Sequence, residues 1–167
     1  MKARHVQRFV ATAAGMAVAA ALVQADQIRR QQGPAQVPME IALKAGGDAY
    51  NAKGEGSCTH APKASIYGTM AEMWTVRHEA NGRSVQLTLW KPSDGSANMF
   101  SLSVNGAKSV SVSTVRGGQV TGTGTVSMAP SGKGGTFTID AKARTGEAYT
   151  GTITCDAFTP AIAEGGN

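Results

Sequence analysis

From Met39 onward, apolar and polar residues alternate in short runs, and no window carries an apolar stripe at helical spacing. Runs rich in Val, Ile, Thr, Ser and Tyr are separated by turn clusters. These fall at Gly46-Gly47, Asn81-Gly82, Pro92-Ser93-Asp94-Gly95, Asn105-Gly106, Gly117-Gly118, Pro130 to Gly135 and Thr145-Gly146. Turn residues at this spacing predict a meander of about eight to ten antiparallel strands.

Individual hairpins have a readable register. With Asn81-Gly82 as a two-residue turn, Ala80 faces Arg83, His78 faces Val85, Val76 faces Leu87 and Trp74 faces Leu89. One side of that pair is then apolar and fit for burial. The other side carries Thr75, Arg77, Gln86 and Thr88, with Met73 opposite Trp90. A two-residue turn at Asn105-Gly106 would set Leu102 and Phe100 against Ser109 and Ser111. The three-residue loop Asn105-Gly106-Ala107 instead pairs Leu102 with Val110 and Phe100 with Val112. A five-residue loop from Arg144 to Ala148 likewise matches Phe137 and Ile139 with Cys155 and Ile153. Gly122 and Gly124 leave one face of the Val120–Met128 run bare, which lets a neighbour approach or the strand bend. The expected fold is an all-β antiparallel β-sandwich, with a closed barrel as the alternative.

The alternation is confined to residues 39–158. Residues 1–25 read as a secretory signal peptide: Lys2, Arg4 and Arg8 precede the uncharged run Phe9–Val23, and Val23-Gln24-Ala25 resembles a cleavage site. That run is shorter than the ~20 residues of a spanning helix, so no stable membrane insertion is expected after cleavage. Residues 26–38, with Arg29, Arg30, several Gln and two Pro, read as a flexible lead-in, and 159–167 as a loose tail. The expected address is the bacterial periplasm or the medium.

Charge narrows the partners. Of 167 residues, 16% are charged, below the usual ~25%, and the formal net charge is +5. Three of those five charges belong to the leader, so no basic stripe remains for nucleic acid. The two cysteines of an exported chain allow one pairing, Cys58–Cys155. A metal or redox site on Cys58-Thr59-His60 would need further ligands; His78 is the one other histidine beyond the leader and no CxxC occurs. No metal and no cofactor are expected.

The segment Met39 to Tyr50, the step from Gly54 to Cys58 and the closing Gly151-Thr152-Ile153-Thr154-Cys155 resemble the mycobacterial LpqH-like lipoprotein antigens. The Gly135 to Asp140 run is also similar to small secreted bacterial β-domain proteins of unknown function. The resemblance spans roughly residues 39–158. It implies a disulfide-closed β-domain of the cell envelope and brings no catalytic residues. The chain departs from the lipoproteins in having no cysteine directly after its apolar run, which removes the lipid anchor.

Catalytic patterns are scarce. No GxSxG occurs. His78 falls on the core face near a hairpin end, where a satisfied rim histidine is expected. His60 stands two residues from Cys58 and could meet Asp156 beside Cys155, as a structural contact or as a relay. Glu40, Asp48, Glu55, Glu72, Asp94, Asp140 and Asp156 show no spacing that singles out a glycosidase pair. Gly132-Lys133-Gly134-Gly135 has no following Ser or Thr and no helix, so a mobile hairpin loop is expected rather than a phosphate cradle. The chain is therefore not expected to be an enzyme.

Surface recognition is what remains. Trp90, Met73 and Arg77, with Met70 nearby, lie opposite the core face and form a candidate anchor for a partner. The alternative is that the lead-in hairpin or a Thr59–Ser65 loop covers that face. The expected function is a non-enzymatic envelope domain that binds a protein or envelope component through a sheet face or loops. Two other classes compete: an inhibitor of a secreted enzyme such as lysozyme, inserting Pro92–Ala97 or Pro130–Gly135, and a hydrolase using His60 or His78.

Overall fold

The strict alternation of Gln36–Ala45 sends Val37, Met39, Ile41, Leu43 and Ala45 inward and leaves the residues between them exposed. The same two-residue period recurs along the chain in a computed structural model, which describes residues 34–161. The expected signal peptide and the outer parts of the lead-in and tail lie outside the described residues. The strands are β1 (Gln36–Ala45), β2 (Asp48–Ile66), β3 (Thr69–Ala80), β4 (Arg83–Pro92) and β5 (Met99–Asn105). They continue with β6 (Ser109–Ser113), β7 (Gly122–Ser131), β8 (Gly134–Ala143), β9 (Ala148–Cys155) and β10 (Thr159–Pro160).

One continuous sheet results, in the order β6-β5-β4-β3-β2-β1-β9-β8-β7, with β10 added to β2. All neighbours are antiparallel except β10 with β2. The sheet curls until β6 and β7 meet, a nearly closed barrel. The barrel, the alternative to the expected sandwich, is the architecture found, because the strands form one continuous sheet rather than two packed ones. The seam is held by Thr121 N–H to Ser113 O at 2.9 Å, Ser113 N–H to Thr121 Oγ1 at 2.9 Å and Asn98 Nδ2 to Val126 O at 3.3 Å. Gly122 explains how closely it shuts, since a Cβ there would lie 2.5 Å from Val112 Cγ2.

The interior is filled by side chains. Leu87, Leu102, Phe100, Phe137, Val76 and Ile153 have no measurable exposure. Cys58 and Cys155, both buried, form a disulfide across 97 positions of chain. In the sheet it links β2 to β9, the two neighbours of β1, beside the point where β1 begins. Such a bridge fits an oxidising compartment.

The β3–β4 register matches the reading from Asn81-Gly82 at every pair. Two other registers differ by two residues. Leu102 faces Val112 and Val104 faces Val110, so the β5–β6 loop is Gly106-Ala107-Lys108. This setting places Val104 against Val110, where the expected one would have opposed it to Lys108. Phe137 faces Ile153 and Cys155 faces Gly135, so the β8–β9 loop is 143–147. Buried Tyr149 then faces Ala141 and Ile139 faces Gly151, which alternates large with small across the ladder.

Three further segments differ from expectation. Thr59–Ser65 is strand rather than loop, with a bulge between Ala61 and Ala64. The hairpin loop expected at Gly132–Gly135 is there but shorter: Ser131 pairs with Gly134 around the two-residue turn Gly132-Lys133. The tail expected from Thr159 starts with β10, anchored by Thr159 Oγ1 to Cys58 O at 3.2 Å and Ala161 N–H to His60 O at 2.9 Å.

Candidate functional site

Toward one end of the barrel the inward rows of β3 and β4 change character. Following Val76 and Leu87 come Trp74 and Leu89, then the charged pair Glu72 and Lys91, directly opposite each other. On β2, His60 pairs with Trp74. After Cys155 the chain crosses the mouth to β10, carrying Phe158 and Pro160, and Phe158 N–H bonds Lys133 O at 2.9 Å in the β7–β8 turn. These elements enclose a cleft of about 660 Å³, within the range of ligand pockets.

Leu89, Met128, Trp74 and Phe158 form its apolar lining; His60, Glu72, Lys91, Lys133 and Asn98 supply its polar groups. The His60 ring stacks on Trp74 at 4.7 Å and 5°. Phe158 sits 6.4 Å from His60 and edge-on to Phe137 at 5.9 Å, continuing the aromatic lining into the core. His60 Nε2 is 3.4 Å from Glu72 Oε2, and Lys91 Nζ is 4.0 Å from Glu72 Oε1. The His60–Glu72 approach has ion-pair distance without hydrogen-bond angles, so Nε2 is a buried atom lacking a hydrogen-bond partner. His60 has no hydroxyl or thiol hydrogen-bonded to its ring among the described residues, whereas a nucleophile–base pair would require one. The Pro92–Ala97 loop beside the cleft is braced by Ser96 N–H to Asp94 Oδ1 at 2.9 Å. Hydrogen bonds from Ser96, the side-chain one foremost, hold the Asp94 carboxyl below its ordinary value.

The other histidine is elsewhere. His78 is buried toward the opposite end of β3, and its Nδ1 lies 2.8 Å from the Tyr50 hydroxyl. Arg83 stacks on the Tyr50 ring at 4.7 Å and donates to Ala49 O at 2.8 Å. This satisfied cluster matches the rim histidine expected at that position. Asp156 does not provide the contact foreseen for His60; its backbone N–H bonds Pro38 O instead, and Glu72 takes that place.

Met73 and Trp90 stand on the outer face, opposite each other and in line with Met99 on β5. Arg77 lies two rows away and is exposed. Both Met73 and Trp90 are half-buried, and Ala61, Ala64, Ala71 and Pro92 on the same side are buried. Tyr67 at the β2–β3 tip reaches the β6–β7 connection, where a Cβ on Gly117 would lie 2.9 Å from its ring. The alanines beside Met73 and Trp90 are buried although they lie outside the main core cluster.

Sequence reasoning missed Glu72, Lys91, Lys133, Trp74 and Phe158 as a group. One signal was available: extending the β3–β4 register places an acid and a base on the inward face, a combination that suits a barrel mouth and not a core.

Compared with protein-family models, with curated proteins and with solved structures, the chain finds no significant match.

Proposed function

We propose that the protein is an exported, non-enzymatic envelope domain that binds another envelope component at the barrel mouth. The observation that carries this reading is the cleft itself. Its lining is aromatic and aliphatic, its charges stand at the rim, and His60 Nε2 is buried there without a hydrogen-bond partner. The disulfide, the leader-like residues 1–25 and the resemblance to LpqH-like antigens all support a place outside the cytoplasm.

The two tryptophans make the test simple, because Trp74 lies in the cleft and Trp90 on the outer face. Emission of the Trp90→Phe protein reports the mouth, and that of Trp74→Phe reports the face. On titration with fractionated envelope polysaccharide, muropeptides and envelope-protein digests, the Trp90→Phe protein should respond. A response confined to Trp74→Phe would overturn the mouth reading in favour of the Met73–Trp90–Arg77 face.

One observation favours a second reading, the enzyme inhibitor. Lys91 and Asn98, which flank the Pro92–Ala97 loop, and the Pro130–Gly134 stretch line the same cleft, so both candidate insertion loops stand together. Added protein should then lower the turnover of a lysozyme panel; flat activity removes this reading.

A further inference from the structure

Strand β7 ends the hydrogen-bonded order, and among the described residues β8 is its one strand partner. Its free edge runs into the cleft. Val126 turns its carbonyl to that edge, where the Asn98 side-chain amide binds it at 3.3 Å, as a neighbouring strand's N–H would. By the two-residue period of a ladder, Met128 presents both its N–H and its C=O to the same side. Pro130 follows with no N–H to offer. Met128 also lines the cleft, so unpaired backbone and apolar lining adjoin.

We propose that the mouth binds a short extended peptide bearing a carboxylate, added beside β7 at Met128, with one apolar side chain seated near Phe158 and Leu89. This rests on the cleft being the binding site. The charges select the carboxylate: Lys91 and Lys133 are exposed at the rim against the single acid Glu72, which already faces His60 and Lys91. Other envelope chemistries fit less well. A saccharide wants an open aromatic face, whereas Trp74 is 3% exposed beneath the His60 ring. An acyl chain wants a long cavity, whereas the barrel interior is filled by Phe100, Leu87 and Leu102. Strand addition combined with a side-chain pocket is an established mode of peptide recognition.

The test uses the purified protein and a synthetic hexapeptide library made once with free C-termini and once as amides. Retained peptides should place an apolar residue next to an acidic side chain or a terminal carboxylate. Their binding should fall at least ~10-fold in the Lys91→Ala/Lys133→Ala protein, whose exposed substitutions leave the thermal midpoint in place. The backbone amide of Met128 should shift in nuclear magnetic resonance spectra. No enrichment over the double variant, or shifts centred on Trp90 and Arg77, overturns the proposal. Chitohexaose and dodecanoate are titrated in parallel. If either changes Trp74 emission while peptides do not, the peptide proposal fails and the mouth remains the binding site. If no probe acts there, both fail.

Discussion

The hydroxyl of Tyr50 lies 2.8 Å from Nδ1 of His78, joining β2 to β3 through a bond buried at the end of the barrel opposite the cleft. Arg83 O is also within 3.4 Å of that hydroxyl. Tyr50→Phe keeps the ring and removes the partner of a buried nitrogen. We expect a loss of about 1–3 kcal/mol, read from the urea midpoint with the slope unchanged.

Burial raises Tyr50 above its ordinary value of 10.0, with Arg83 opposing and Glu79 adding; burial and then Glu147 raise Tyr149 likewise. The unfolded chain therefore loses these phenolic protons at lower pH than the native protein does. Stability from both groups is complete below pH 10 and declines as pH rises through their native values. Ultraviolet titration should show Tyr50 and Tyr149 ionising at higher pH in the folded protein than in denaturant.

The Cys58–Cys155 bridge closes most of the described chain into one loop. On chain-entropy reasoning its removal costs roughly 4–5 kcal/mol. Reduction, or Cys58→Ser with Cys155→Ser, should shift the denaturant midpoint sharply. A shift under a tenth of the native midpoint would mean that the strand ladders alone hold the barrel.

Gly122 is where the seam has no room. An added methyl meets Lys142 O at 2.4 Å and Val112 Cγ2 at 2.5 Å. Gly122→Ala should cost about 1–3 kcal/mol or more. Val112→Ala should couple to it in a double-mutant cycle, recovering part of the loss and not all, because the backbone oxygen stays in place.

Tyr67 holds the β2–β3 tip with φ at +49°, in a left-handed conformation that bulky side chains rarely adopt. Tyr67→Ala removes the contact with Gly117 and should speed hydrogen exchange across residues 62–71 by ~10-fold or more, leaving β8 and β9 protected. Equal exchange would show that the buried alanines alone fix the tip.

That residue also marks a limit of sequence reading. Asn81-Gly82 announces its turn and the whole β3–β4 ladder follows, whereas Tyr67-Gly68 carries no such signal, so β2 and β3 read as separated by a loop. The errors at β5–β6 and β8–β9 share one cause. A slip of two residues leaves every side chain on its own face, so alternation cannot detect it; pair sizes, Val104 with Val110 and Tyr149 with Ala141, decide. The Cys58–Cys155 pairing was legible from count alone. The cleft was not, because His60, Lys91, Lys133 and Phe158 come from four distant stretches that only the curled sheet assembles.

The first and last long strands are neighbours: Met39 pairs with Cys155 and Ala45 with Tyr149. A chain still emerging from a ribosome, with β9 not yet released, cannot make this ladder. It must wait with β1 half-satisfied and the two cysteines apart. Closure of the barrel is thereby deferred until β9 is available, so the early strands cannot lock into the finished sheet ahead of the late ones.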